Sequence, residues 1–521
     1  MSVARRPVVM VLAALLLWGA AIVESAGSVV AQANPNLPTT VPSVQDWRPG
    51  GEGFALSAAA RIRASPELAS VAQQFAADLA RAGRGAYPVV IGGVAQPGEL
   101  ALRIDPVAPD RPESYRIDIG TTLSASARTR QGAISASQTM LQWLRQSPAV
   151  VGGTVQDWPD YPERGLMLDV GREFLTVAWV KQRIRELAYY RMNTLHLHLS
   201  DTGGFRVQSD NHPEITSPQH YSKDDIREIV SYAEEFGVEI VPEIGFPGHT
   251  NGFLAAHPEL KLQPASTSPA DAVTDRLLAG SLDGRMDLTN PRSYSLIEDI
   301  FREFIPLFPG RYFHIGGDEY VTDYSRFPQL AEYAHRVLGP GYGPEDVPAA
   351  FFNWANAIVR SYGKTTRIWN DGIAHDTRVP VDPSIVVDYW TAGGGITPWI
   401  GTGKTPGQFV DEGRSIQNAA FTPTYFATGG YATPLNTAPE LLYAWDPGLF
   451  INGQRLTPAQ HDHLLGSELH IWCDDPVAMT EDQITAPLLA RLPIMAQQLW
   501  SGTGDAPYPI FTDRVQAAGL P

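Results

Sequence analysis

Cysteine is nearly absent: Cys473 is the only one in 521 residues. A single thiol cannot close an internal disulfide, so the fold must be held by its core. A catalytic thiol would need an electropositive setting, and a small apolar filler beside Trp472 is the simpler expectation. Basic charge is also short, with 39 Lys and Arg against 56 Asp and Glu and a formal charge of −17. That balance speaks against nucleic acid or an anionic membrane surface as partner, because phosphate binding needs clustered cations. Beyond the first residues, no apolar run is long enough to cross a bilayer.

The N-terminus has the one long apolar run. Arg5 and Arg6 precede Val8 to Val23, and Ala31-Gln32-Ala33 follows as a small-x-small site. Charged start, apolar middle and small-residue cleavage site describe a secretory signal, here residues 1–33, with a retained membrane anchor as the alternative. Export is expected, with no membrane contact once the leader is cleaved. A linker rich in Pro, Thr and Asn runs from Asn34 to about Pro42.

Residues 34–159, linker included, are expected to form a small α/β domain. "SPELASVAQQFAADLARAG" (Ser65 to Gly83) has helical spacing with a Ser-Pro start and a glycine stop. "YPVVIGG", "LALRI" and "SYRIDIG" have strand character, and "TRQGAISASQTMLQWLRQ" is a second helix. From about Tyr161 the pattern becomes strand, loop, helix, repeated. The strands are "RGLMLDVGR", "MNTLHLHLSD", "VEIVPEIGFPGHT", "RYFHIGGDEY", "TTRIWND", "SIVVDYW", "AAFTPTYF" and "LHIWCDD". Eight such units predict a (β/α)8 TIM barrel over 160–505, followed by a tail, 506–521. An open doubly wound sheet is the structural alternative, but no Gly-rich phosphate loop follows the first strand.

Nearly every strand ends in polar or aromatic residues: Asp169 with Arg172, Asp201, His249, Asp318 with Glu319, Trp369, Trp390, Tyr425, and Trp472 with Asp474. Barrel active sites are assembled from strand C-termini. Solvated loop ends would explain the polar residues but not four aromatics in equivalent places. Asp318 and Glu319 follow an apolar strand and two glycines that permit unusual torsions or close ligand approach. Two carboxylates held close titrate apart, so one can stay protonated as an acid. Glycosidic cleavage needs such an acid and a second charge for the oxocarbenium-like centre. Sequence neighbours are poorly placed to flank a bond, unless the substrate brings its own nucleophile.

The motif "HIGGDE" resembles the His-x-Gly-Gly-Asp-Glu of glycoside hydrolase family 20, the β-N-acetylhexosaminidases, and the resemblance spans about Tyr161 to Gly502. In that family the sugar's 2-acetamido oxygen attacks C1 and closes an oxazolinium ion with net retention. The resemblance implies that Asp318 orients the acetamido group and Glu319 is general acid, then base. "LDVGREF" and "HLHLSD" supply Arg172 and Asp201 for sugar binding, Arg being a rigid donor fork, and "PEIGFPGHT" supplies His249. Trp369, Trp390 and Trp472 match the pocket wall, and Tyr425 the hydroxyl that holds the acetamido oxygen. The implied substrate is an oligosaccharide or glycoconjugate with terminal β-linked GlcNAc or GalNAc, with no metal or organic cofactor. Three positions depart from the pattern. Gly245 replaces an Asp partner of His249, Ala427 replaces an Asp or Asn, and Asp474 replaces a Glu. Trp-x-Asp is similar to the lacto-N-biosidase branch, which releases a disaccharide. Two other classes stay open. His196 and His198 with His249 and His314 are similar to the ligands of metal-dependent barrel hydrolases, although that His-x-His stands on a first strand rather than a second. Gly245 and Ala427 leave room for a sugar-binding protein without catalysis.

Overall fold

The computed structural model describes residues 37–106, 110–265, 284–394, 397, 400–430, 432–502 and 506–521. The expected leader, residues 1–33, lies outside them.

The N-terminal domain is a seven-stranded mixed sheet. Its strand order is Asp46–Pro49, Gly153–Asp157, Tyr115–Ile119, Leu123–Ala127, Leu100–Ile104, Ile62–Ala64, Val89–Ile91. Helices α1 (Ala69–Arg81) and α2 (Arg130–Gln146) pack against it. Thr129 starts α2 by accepting from the Gly132 amide, the usual satisfaction of an orphan helix N–H. Every residue of α2 from Gly132 to Leu144 is buried, because the helix lies between the sheet and the barrel's outer helices. Its buried polar groups therefore need partners. Gln142 accepts from the Val41 amide at 2.8 Å and donates to the Val41 and Tyr189 carbonyls at 2.9 Å each. Val41 is fully buried, so the end of the expected linker is packed structure.

The barrel closes with eight parallel strands: β1 Glu163–Asp169, β2 Thr194–His198, β3 Glu239–Glu243, β4 Tyr312–His314, β5 Thr365–Trp369, β6 Val386–Tyr389, β7 Ile416–Asn418 and β8 Leu464–Trp472. β1 pairs with both β2 and β8, with Leu166 opposite Leu195 on one side and Leu469 on the other. All seven residues of β1 are buried, as in parallel strands covered on both faces. Helices α3 (Val177–Tyr189), α4 (Lys223–Glu235), α5 (Pro291–Phe304) and α6 (Asp346–Ser361) follow the first four strands. Ser222 and Asp225 form the reciprocal capping box that opens α4.

Two expectations are corrected. "AAFTPTYF" is not the seventh strand, which is the three-residue Ile416–Asn418 just before it. The run instead folds into a helical turn, Phe421–Thr424, and a short strand, Tyr425–Ala427, that adds onto β8. Pro423 cannot donate to a ladder, which excludes the run from a central strand. The expected tail contains a helix, α7 (Tyr508–Ala518), that docks on α2 with Phe511 buried. Asp157 locks the two domains together: its carboxylate meets Arg191 at 2.5 Å and accepts from Trp500 Nε1 at 2.9 Å, all inaccessible to solvent.

Candidate active site

The acidic pair leaves β4 through Gly316 and Gly317, with φ of 77° and 101°. A Cβ on Gly317 would stand 2.5 Å from the Ile368 side chain, and one on Gly316 would stand 2.6 Å from the Gly245 Cα. Neither position accepts another residue without movement. Among the described residues, three non-glycines have positive φ: Arg191, His249 (54°) and Glu319 (51°). The left-handed region is costly for such residues and persists where the surroundings over-determine it. Two of the three face each other. His249 Nε2 is 3.1 Å from Glu319 Oε2 and 3.3 Å from Asp318 Oδ2.

The other imidazole nitrogen, Nδ1, is 3.4 Å from Asp201 Oδ1. The glycine at position 245 therefore does not leave His249 without a carboxylate, as the comparison of motifs implied. Asp201 supplies one from β2's end, and a Cβ added at Gly245 would meet the Gly316 Cα in ordinary contact at 3.8 Å. Asp201 also takes Arg172 Nη2 at 3.1 Å and His198 Nε2 at 2.8 Å. Arg172 Nη1 meets Asp169 at 2.8 Å and approaches Asp474 at 3.8 Å. One continuous charged chain thus runs from Asp474 through Arg172, Asp201 and His249 to the acidic pair. Burial opposes a charged His249, but Asp318 and Asp201 outweigh it and raise the imidazole well above its ordinary value. Asp318 is raised in turn, chiefly by burial, with His249 working against the rise.

The aromatic residues form a second, contiguous surface. Trp369 and Trp472 have ring centres 6.0 Å apart, Trp472 and Tyr425 5.6 Å, and Arg172 lies 5.3 Å over the Trp472 ring. Tyr425 is carried on the strand added to β8 rather than on the seventh barrel strand. Ala427 is buried and offers no polar side-chain atom; Asn436 holds its backbone through both N–H and C=O. Trp390 joins through Asp371, a residue not singled out from the sequence. Asp371 Oδ1 accepts from Trp390 Nε1 at 2.8 Å, and Oδ2 accepts from the Glu319 amide at 2.7 Å. Burial, then the nearby Asp318, push the Asp371 carboxyl up to about 7. Its one sequence signal is its place two residues beyond Trp369.

Below the pocket lies a floor of paired charges. Glu243 accepts from Trp369 Nε1 at 2.8 Å and meets His196 at 3.0 Å, His198 at 2.5 Å and His314 at 3.3 Å. His196 also contacts Glu468 at 3.2 Å. His196, Glu243 and His314 do present donor atoms within 4.8 Å of one another. A metal there would have to break this bonding at a fully buried position, and His249 belongs to the other chain of contacts. Cys473 is buried, with its thiol pushed well up by burial, which suits a filler.

The chain matches the glycosyl hydrolase family 20 catalytic domain over residues 161–503 and that family's domain 2 over residues 37–158. It belongs to glycosyl hydrolase family 20. It is 29% identical to a β-N-acetylhexosaminidase of Cellulomonas fimi over 494 residues, covering 89% of this chain and 90% of that protein. It is 27% identical to a lacto-N-biosidase of Bifidobacterium bifidum over 481 residues, covering 91% of this chain but spanning 41% of that longer protein. A solved mutant Streptomyces plicatus β-hexosaminidase in complex with the product GlcNAc superposes with a TM-score of 0.71 at 26% identity, over 94% of this chain and 98% of the other.

Proposed function

We propose that this chain is a retaining glycosidase that releases terminal β-linked N-acetylhexosamine, with the substrate's acetamido oxygen as nucleophile. One observation carries this most directly: Asp318 and Glu319 both meet the same nitrogen of His249, so both carboxyls lie on one side of the pocket. An enzyme carboxylate acting as nucleophile would have to stand across the sugar from the acid, about 5–5.5 Å away. The pair here is arranged for another division of labour. Asp318 accepts from the acetamido N–H and turns its carbonyl oxygen toward C1, with the Tyr425 hydroxyl donating to that oxygen. Glu319 gives its proton to the leaving oxygen as the C1–O bond breaks and the oxazolinium ring closes. Water then adds to C1 as the C1–O bond to the acetamido oxygen breaks and the acetamide is restored, Glu319 takes the water's proton, and the two inversions give retention. Trp369, Trp390 and Trp472 exclude water around the acetamido methyl, which strengthens the charge interactions inside. The test compares aryl β-glycosides of GlcNAc and of glucose. A glucoside cleaved as fast as the GlcNAc substrate, or a Glu319→Gln chain of full activity, would overturn the proposal, and a wild-type chain that hydrolyses neither would point to a protein that only binds sugar.

A specific observation favours a second form of the same chemistry. Ala427 gives no polar group at the pocket edge, and Asp474 is drawn toward Arg172. An edge with fewer polar side chains to hold a single terminal sugar suits a terminal disaccharide, the unit that the name of the Bifidobacterium relative implies. Relative release of nitrophenol from GlcNAc, GalNAc and lacto-N-biose β-glycosides decides between them. The charged, then apolar N-terminus supports export, so the substrate is placed outside the cytoplasm; finding the chain uncleaved in the cytosol would contradict that.

A further inference from the structure

The sequence His-Pro-Glu occurs twice, at His212-Pro213-Glu214 and His257-Pro258-Glu259, and both copies form the same short turn. The histidines have nearly equal backbone angles, φ −133° and ψ 66° against φ −125° and ψ 62°. The first follows the hairpin (Ser200–Asp201 with Gly204–Phe205) that carries Asp201. The second follows the short helix Asn251–Leu254 just beyond His249. The fold brings them together on the flank of the barrel. His212 Nδ1 and His257 Nε2 each lie 3.1 Å from a single oxygen, Glu214 Oε1, and the three donor atoms fall within 4.8 Å of one another. The far nitrogens are also occupied. His212 Nε2 is 3.2 Å from Asp299 on α5, and His257 Nδ1 is 3.6 Å from Glu259.

A neutral imidazole has one N–H and one lone pair, so it can donate to only one of two flanking carboxylates. The other contact would set lone pair against anion. Something positive must stand on the Glu214 side of both rings: two ring protons, or one cation shared by all three groups. Donors around a tetrahedral zinc ion, bound at about 2.0–2.1 Å, are separated by about 3.3 Å, close to both contacts here. Zinc-bound histidines also characteristically give their second N–H to a carboxylate, the role open to Asp299 and Glu259. The charge agrees: three carboxylates surround the two imidazoles, and the guanidinium of Arg292 is spent on Glu259 at 3.0 Å. We propose that His212, Glu214 and His257 bind one divalent transition-metal ion, zinc by its ligand set, with water completing the shell on the partly exposed side. The ion would staple the Asp201 hairpin, the segment after His249 and α5 in a chain with no disulfide. It takes no part in bond cleavage.

The experiment titrates chelator-stripped full-length protein with Zn2+, and separately with Co2+ read by its visible absorption. The expected result is one equivalent bound per chain and a midpoint of thermal unfolding several degrees higher with the metal. Asp299→Asn should weaken binding by about tenfold or more, as loss of an outer carboxylate does, and His212→Gln with His257→Gln should abolish it. Activity of the metal-free protein below its unfolding temperature should be unchanged. Failure to bind either ion at one equivalent, or binding that survives the double substitution, overturns the proposal and leaves the cluster as side-chain contacts without an ion. If the double variant does not fold, Asp299→Asn alone decides, since its side chain is 56% exposed and packs little.

Discussion

The carboxylates of the barrel floor are fully buried and those of the pocket rim less so, with Asp318 17% and Asp474 24% exposed, yet it is the rim group that is pushed toward holding protons and the floor group that is pushed away from it. On the floor, burial would push Glu243 up, but His198 and His314 hold it far below its ordinary range. Glu468 is likewise held at about 2 by His196 against burial, and Asp388 is lowered by Arg367. At the rim, Asp318, Asp371 and Asp474 are all raised, with burial as the leading cause. The difference is the ratio of cations to anions. Glu243, Glu468 and Asp388 each meet an imidazole or guanidinium within 3.2 Å, whereas Asp318 shares His249 with Glu319 and Asp371 stands beside both acids. The paired floor stays ionised, while at the rim Asp371, at about 7, can exchange a proton near neutral pH.

If that contrast is right, substitutions should separate stability from turnover. The largest effect is expected for Glu243→Ala, which leaves His196, His198 and Trp369 without their shared acceptor. It should cost about 3–5 kcal/mol of stability, as loss of one member of a buried ion pair does, measured by urea denaturation. Asp318→Asn, on the rim, should instead lower kcat by about 10²-fold or more with little loss of stability; a collapse of stability without a kinetic effect would reverse the comparison. Asp371→Asn should lower kcat by about tenfold, because a single amide oxygen cannot accept from both the Glu319 amide and Trp390 Nε1, with a smaller change in KM. It also carries a pH signature. Wild-type Asp371 has a raised carboxyl, so the folded state loses stability as pH climbs from its ordinary value of 3.8 toward about 7. The Asn chain has no such titration, so its unfolding midpoint should gain on wild type across that window. Cys473→Ala, which keeps the backbone amide that donates to Asp169 and removes only a buried thiol, should cost about 1 kcal/mol and leave kcat alone.

Much of the site could be seen in the sequence because a parallel barrel puts its strand ends on one face. Asp169, Asp201, Trp369 and Trp472 close or follow their strands, so an apolar run ending in such a residue already marks the face. Asp371 was missed because Trp-Asn-Asp has no periodic or motif signal; its importance comes from a backbone amide of another loop. The seventh strand was misplaced because three residues carry no readable alternation, while the longer neighbouring run contains the more typical strand residues. His212 and His257 were passed over because each is an ordinary turn residue until its partner is known.

What the sequence by itself determined is the set of parts. The spacing of apolar runs decides eight alternating strands and helices in a parallel sheet, since strands covered on both faces are largely apolar. The adjacent Asp318 and Glu319 behind two glycines decide that one turn must carry both acids. The titration order, the partner of His249 and the strand that carries Tyr425 were decided only by the tertiary structure. Each depends on distances of 3 to 4 Å between residues far apart in the chain, where the cost of burying a charge is set by whichever groups the fold delivers.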